Sequence, residues 1–483
     1  MAISEALQNF AKQFAKKMAE EQVAVFAGAG LSAGEGFVNW AELLAPYAEE
    51  LGLDIGREKE HLVRLAQYSM NHKGNNRHHL NQNIIEAFPV MHEPGINHEI
   101  LSRLPIDTYW TTNYDKLIET ALRNSKKKVD VKIRENQLPN STPRRDAVVY
   151  KMHGDVEFAG EAILTRDDYE SYPRKYPGFL NALSGDLTVK TFLFIGFSFS
   201  DPNLEHVLSE VRQRYHNSQR EHFCLLRKPK ESDYKTRDEF LYAQVRQRHF
   251  ISDLRRYNVT ALEMDEYSDV TEILTSIEQQ YRRRSVFVGG SAEDYSPWGQ
   301  DAVDEFCRSL GALFFDLQMR IVTGFGLGIG NALISGAIDR AYSRSNLQLD
   351  SFLDVRPFPR AIVDAARRDA VWLSFRRELL RIPGIAFFIF GNKKDAAGNI
   401  VSANGLKSEF EIAVQQGVIP IPIGGTGSMA KEIADIVLAN FDAYCPDGDV
   451  VIKGFVSKWN VPIVNLDDCL QDVRKLIEHI KKK

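Results

Sequence analysis

The chain has 483 residues, 44% of them hydrophobic and 26% charged, the make-up of a soluble globular protein too long for one ordinary core. Its formal net charge of -5 lacks the basic excess of a general nucleic-acid binder. No apolar run approaches the ~18–20 residues needed to span a bilayer, and Cys224, Cys307, Cys445 and Cys469 form no CxxC pair, which excludes a zinc ribbon and a disulfide framework. A reducing cytoplasm is the natural home of such a chain.

Leu7, Phe10, Phe14 and Met18 recur at helical spacing behind a candidate N-cap, Ser4, so residues 4–20 are predicted to form a helix packed on one face. Strands are predicted at 23–27, 107–111, 146–152, 191–197 and 222–226, with helical stretches at 40–53 and 202–215. A helix at 269–284 ends in Arg282, Arg283 and Arg284, and the domain boundary is placed there, giving domains 1–283 and 284–483. The second half repeats the rhythm, with strands near 286–288, 320–323, 385–390 and 418–423 and a last amphipathic helix at 467–480. Pro420 and Pro422 make the 418–423 run, if it is a strand, a short or edge strand, and the polar stretch 343–362 reads as a loop over a site or an interface. Apolar runs alternating with helices make the fold class α/β, with two Rossmann-like doubly wound domains.

Each half opens with a strand that runs into glycines, a pattern that lets backbone N–H groups face a phosphate. In the first half, Gly28-Ala29-Gly30 follows 23–27, and Ala33 completes G-x-G-x-x-A. A hydride-transfer enzyme also needs an acidic residue ending its second strand, about twenty residues on. Glu49 and Glu50 fall instead in a helical segment, which argues against a dehydrogenase. Three further polar clusters close strands: Thr112-Asn113-Tyr114-Asp115, Lys151-Met152-His153-Gly154-Asp155, and Gly196-Phe197-Ser198-Phe199-Ser200-Asp201. All of them lie at C-terminal strand ends, where open α/β sheets bind ligands, so they converge on one crevice.

These residues resemble the sirtuin NAD-binding core over roughly residues 1–280. The resemblance implies NAD as substrate, cleaved at the nicotinamide–ribose bond. It places Asn113 on the nicotinamide-side ribose and a water, and makes His153 the general base. Gly28, Ala29, Gly30, Ser32, Thr112 and Asp115 would line the dinucleotide pocket, and Gly196, Ser198 and Asp201 would hold the adenosine half. The chemistry is sound on its own terms, because departing nicotinamide leaves an oxocarbenium-like ribose that a rigid amide and an imidazole suit. Sirtuin deacylases carry a four-cysteine zinc module after the catalytic histidine, whereas here no cysteine precedes Cys224. No metal is expected, and water replaces an acyl-lysine oxygen as acceptor, which reads as an NAD glycohydrolase.

In the second half, Gly289-Gly290-Ser291 and the run Gly324, Gly326, Gly328 and Gly330 lie beside the first two strands. Over about 285–480 the chain resembles the SLOG superfamily of nucleotide sensors. The pairing of a zinc-less sirtuin core with such a sensor resembles the Thoeris anti-phage effectors. That resemblance implies activation by a cyclic ADP-ribose isomer, made by a TIR-domain partner protein, and NAD depletion in abortive infection. It also implies a homo-oligomer, a tetramer or larger on activation, with no nucleic acid and no membrane. Activator-binding residues by motif are Gly289, Ser291, Gly324, Gly326, Gly328, Arg377, Lys394 and Glu409, with Arg376 as the alternative to Arg377 and Glu411 as the alternative to Glu409. Two other readings stand beside this one: a non-enzymatic NAD or ADP-ribose-sensing assembly module, and an NAD-dependent protein deacylase. His72, His78 and His79 read as a solvated loop, and Phe192, Phe194, Phe197 and Phe199 as core packing.

Overall fold

Strands made of unbroken Val, Ile and Phe, with no polar alternation, must be covered on both faces, and they build two parallel sheets here. The computed structural model describes residues 3–20, 22–58, 61–344, 349–359, 361–445 and 448–482. The chain divides into two units, residues 1–278 and 279–483.

The N-terminal sheet has seven parallel strands: β1 (Val23–Ala27), β2 (Thr108–Thr111), β3 (Val129–Lys132), β4 (Ala147–Lys151), β5 (Thr191–Ile195), β6 (His222–Arg227) and β7 (Val259–Met264). Their order is β3-β4-β2-β1-β5-β6-β7. The chain leaves β1 to one side and returns to β5 on the other, so the end of β1 is the topological switch point where such sheets bind ligands. The helix Glu5–Ala19 buries Leu7, Phe10, Phe14 and Met18, and Phe10 and Phe14 pack on Phe223 of β6. Ser4 precedes this helix, but its side chain makes no capping bond. The helix Trp40–Glu50 does have a capping box, from Asn39 and Glu42.

Two strands escape the hydrophobic pattern. β3 reads Val-Asp-Val-Lys, with Asp130 and Lys132 buried and paired at 2.9 Å on a sheet edge. β7, the other edge, leaves Thr260 exposed. The histidine cluster read as a loop is largely helical: His72 ends the helix Leu62–His72, and His78 and His79 begin the helix His78–Ala87. His79 Nε2 lies 3.0 Å from Ser69 Oγ.

The C-terminal sheet contains β8 (Ser285–Ser291), β9 (Arg320–Thr323), β10 (Leu353–Val355), β11 (Ile385–Phe390) and, after a two-stranded ribbon of β12 (Asn392–Lys394) and β13 (Ile400–Ser402), β14 (Ile419–Pro422). The order is β10-β9-β8-β11-β14, all parallel. Pro420 and Pro422 therefore sit on an edge strand, where a missing N–H costs nothing. The segment expected to be a loop, 343–362, contains edge strand β10, while 345–348 and 360 lie outside the described residues. The helix Leu466–Lys482 buries Val473, Leu476, Ile477 and Ile480 in the core. Among the described residues no helix is long and apolar enough to cross a membrane, and all four cysteines are buried and outside any disulfide.

At the switch point the loops after β1 and β5 meet backbone to backbone. Gly28 N–H donates to the Ile195 carbonyl and Gly30 N–H to the Gly196 carbonyl, each at 2.9 Å. A Cβ on Gly196 would overlap Leu31 N and Gly30, and its φ of +63° disfavours any side chain. Gly196→Ala is expected to destabilise the N-terminal unit by at least about 2 kcal/mol, from left-handed strain plus overlap. Gly185→Ala, in the helix Pro177–Val189 with open space at its Cβ, should instead stabilise it by about 0.5–1 kcal/mol. Denaturant unfolding of the two variants checks the contrast.

Candidate active site

Position 113 follows the end of β2 by two residues and position 153 follows the end of β4 by two. The strands are paired with Thr111 opposite Lys151, so Asn113 and His153 leave the sheet from matching register points. Asn113 is buried, and its backbone N–H donates to Thr111 Oγ1 at 2.9 Å. Its side-chain Nδ2 donates to the Gly28 carbonyl and to Ser32 Oγ, both at 3.1 Å. Ser32 Oγ donates in turn to Asp115 Oδ2 at 2.8 Å, and Asp115 Oδ1 accepts the Leu117 N–H at 3.0 Å. Gly28, Ser32, Asn113 and Asp115 thus share one buried network, and the amide of Asn113 has little freedom to turn.

Lys151, fully buried, joins the two loops. Its ammonium donates to the carbonyls of Tyr114 (3.2 Å) and Asp115, and pairs with Asp155 at 2.5 Å and Glu119 at 3.2 Å. Burial works against the ammonium, yet the carboxylates of Glu119, Asp155 and Asp115 outweigh it and raise its pKa. A buried charge so fully satisfied is tolerable, whereas removing a partner would leave an uncompensated ion.

His153 is also buried. Its Nε2 lies 3.0 Å from Asp201 Oδ2, off the line of a good hydrogen bond, and its ring meets Tyr169 edge-on at 5.5 Å. Tyr169 Oη donates to the same Asp201 oxygen at 3.0 Å, while Asp201 Oδ1 accepts the Leu204 N–H at 2.9 Å. Asp201, expected on the adenosine half of a dinucleotide, is buried with both oxygens engaged inside the protein. Burial pushes its carboxyl up, but His153 and the bonds from Leu204 and Tyr169 hold it below the usual carboxylate range.

The other predicted positions divide. Thr112 and Ala29 are half-buried at the strand ends, and Gly196 contacts Gly30. Ser198 is exposed, its hydroxyl 2.6 Å from that of Ser200. The glycine loop also differs from the expected phosphate cradle: Gly28 and Gly30 donate to β5 and its loop, and only the short helix Ala29–Ser32 follows. Sequence reasoning missed His98 and Glu35, a buried imidazole and a half-buried carboxyl with Nδ1 and Oε2 3.9 Å apart. Burial pulls the His98 imidazole down to about 4 and pushes the Glu35 carboxyl up.

In the C-terminal unit, Gly289, Gly324 and Glu409 gather around Leu406 and Phe358. A Cβ on Gly289 would lie 2.9 Å from Glu409 Oε2 and 3.0 Å from Leu406 Cδ1, and one on Gly324 would lie 2.7 Å from the Phe358 ring. The guanidinium opposite Glu409 belongs to Arg376, at 3.9 Å, and lies over the rings of Phe358 and Trp372 at 5.0 and 5.8 Å. Arg377, the residue chosen from sequence, is exposed: one position along a helix rotates a side chain by ~100°, and the inward phase belongs to Arg376. The same phase keeps Glu409 in and Glu411 out. Ser291 Oγ donates to the Asn392 carbonyl at 2.8 Å, and Lys394 is largely exposed, 3.4 Å from Glu293. Gly326 and Gly328 lie against the carbonyls of Gly290 and Ala292, so their small size serves close packing of the loops. Among the described residues no group of three or more His, Cys, Asp or Glu is placed to hold a metal.

Comparison with known proteins covers both units. A SIR2-like domain family matches residues 107–249, and the Sir2- and TIR-associating SLOG family matches residues 269–480. The NAD(+) hydrolase ThsA of Acinetobacter baumannii (strain 532279) is 44% identical over 470 residues, covering 96% of this chain and 97% of that protein. The NAD(+) hydrolase ThsA of Bacillus cereus (strain MSX-D12) is 41% identical over 478 residues, 99% of each chain. Defense-associated sirtuin 2 of Bacillus subtilis is 30% identical over 213 residues, 42% of this chain and 20% of that protein.

Glu409 makes the C-terminal unit sensitive to pH. Burial pushes its carboxyl from 4.5 up to about 7, and Arg376 offsets only part of this. Folding therefore favours the protonated form: the stabilisation is complete below pH 4.5 and is lost as pH rises through about 7. Glu409→Gln should match the wild type near pH 4.5 and exceed its stability by up to about 3 kcal/mol above pH 7. Unfolding curves across that range measure the difference.

Proposed function

The chain belongs to the ThsA family of NAD(+) hydrolases, and from that premise we propose that it cleaves the nicotinamide–ribose bond of NAD in the crevice above β1, β2 and β4. The observation that carries the site assignment is the buried amide of Asn113, fixed by Gly28 and Ser32 at the switch point and tied through Lys151 to the loop that bears His153. The glycosidic electron pair leaves with the pyridinium nitrogen, which yields neutral nicotinamide and an oxocarbenium-like ribose. Water adds to the anomeric carbon and its proton passes to His153, so the products are nicotinamide, ADP-ribose and a proton. Asn113 orients the ribose and the water. A general base of this kind is worth roughly 10²–10⁴ in rate.

The C-terminal unit is the control element in this reading. The family that matches it is described as Sir2- and TIR-associating, which supports a signal made by a TIR-domain partner. A cyclic ADP-ribose isomer would place phosphate oxygens on Arg376 and ribose hydroxyls on Glu409, among Gly289, Gly324 and Phe358. Ser291, Gly326, Gly328 and Lys394 would shape the rim. The ligand must favour one arrangement of a cytoplasmic homo-oligomer, a tetramer or larger, for binding in one unit to raise turnover in the other. The outcome is depletion of cellular NAD, and abortive infection as anti-phage defence.

Purified protein with NAD should release nicotinamide, with a sharp rise on addition of a cyclic ADP-ribose isomer. Asn113→Ala should lower turnover by at least about 10²-fold with assembly retained. Turnover unchanged in that variant, or NAD bound without any nicotinamide release, contradicts the proposal. For the control site, Arg376→Ala should abolish the response to the cyclic nucleotide and Arg377→Ala should leave it close to wild type, both read as nicotinamide release against activator concentration.

A further inference from the structure

The carboxylate of Asp201 is held in place by a helix it begins. Asp201 and Pro202 occupy the N-cap and first positions of the helix Pro202–Tyr215, a pairing that fixes the backbone and gives Oδ1 to the Leu204 N–H. With one oxygen so engaged, Oδ2 is aimed at Tyr169 Oη and His153 Nε2, 3.0 Å from each. In the sheet order β4-β2-β1-β5, the strands that carry His153 and Asp201 stand three positions apart, about 14 Å at ordinary strand spacing. The loops after β4 and β5 close that whole span, so the pair is a built contact and not an accident of neighbouring strand ends. The charged and titratable groups facing the imidazole are Asp201, from the loop after β5, and Tyr169, from the helix Arg166–Lys175.

We propose that Asp201 is a positioning residue for His153, accepting the Nε2–H and thereby leaving the Nδ1 lone pair to take the proton of the attacking water. The role rests on the reading of His153 as general base. A buried carboxylate in this place fixes the tautomer and orientation of the ring and stabilises the imidazolium formed when the water proton arrives; it does not take up that proton itself. Tyr169 gives the same oxygen a second donor, which keeps the carboxylate ionised and in place.

Asp201→Asn separates this role from the capping role, because asparagine caps a helix as well as aspartate. Its carbonyl oxygen can keep the Leu204 N–H, which turns the amide nitrogen, a donor, toward His153 and favours the opposite tautomer. The variant should lose on the order of 10³–10⁴ in kcat, while KM for NAD changes by less than about threefold. Asp201→Ser, which caps but cannot reach the ring, should also lose kcat. The ¹⁵N chemical shifts of the His153 imidazole in mildly alkaline buffer give a readout independent of turnover: an Nε2–H tautomer in the wild type and an Nδ1–H tautomer in Asp201→Asn. Turnover within about threefold of wild type, a loss confined to KM, or the same tautomer in both proteins overturns the assignment. Absence of NAD turnover in the wild type under every activator condition counts against the hydrolase reading, and the tautomer comparison still decides the role of Asp201.

Discussion

A single buried ammonium sets the geometry on which the N-terminal site depends. Lys151 ends β4 two residues before His153, and its Nζ reaches the carbonyls of Tyr114 and Asp115, just past Asn113. The loop of the amide and the loop of the imidazole are therefore bound to one cation, which Asp155 and Glu119 neutralise. An ion buried this deeply is tolerable only with all its partners present, so the cluster is a constraint on the shape of both loops. Beside it, the amide network from Gly28 to Asp115 is fixed by the protein's own hydrogen bonds, with Asn113 held by Gly28 and Ser32 and Ser32 held by Asp115. Such pre-orientation is what positioning catalysis requires.

The two units use glycine in the same way, and it is not the expected way. Gly28, Gly30 and Gly196 allow two strand-end loops to share backbone hydrogen bonds, and Gly326 and Gly328 allow the loop after β9 to lie on the carbonyls of Gly290 and Ala292. Close packing of the loops is what these glycines allow. The side chains around the two sets of loops differ as their proposed tasks differ. In the N-terminal unit an amide is bonded to a hydroxyl after β2, and an imidazole after β4 stands against a carboxylate. The C-terminal one sets one guanidinium on aromatic faces opposite one buried carboxyl.

Much of this was legible in the chain itself. Val23–Ala27, Phe192–Ile195 and Ile385–Phe390 are apolar without a break, so their burial as strands of α/β sheets could be read directly, together with the polar residues at their ends. Of the edge strands, β14 was marked by its prolines, whereas β3 and β10 were not readable. β3 has two charged residues that bury only because they pair, and β10 has three residues inside a polar stretch. The pair Arg376 and Arg377 shows a different limit. Both residues suit an anion, and only the rotation of the helix, set by distant packing at Leu379 and Leu380, turns one inward. The contacts of Asp201 were likewise not readable: the resemblance placed it by the adenosine half of NAD, and its N-cap geometry sets it 3.0 Å from His153. The meeting of Glu35 with buried His98 leaves no local signal at all, because it joins two segments distant in sequence.

The central claim is that the scissile bond of NAD lies between the amide fixed by Gly28 and Ser32 and the imidazole held against Asp201. The most direct measurement is a crystal structure of Asn113→Ala with NAD bound, in which slow turnover preserves the dinucleotide. The account predicts the nicotinamide-side ribose over residue 113, its anomeric carbon facing His153 with space for one water. A dinucleotide whose nicotinamide ribose lies away from both residues would contradict it.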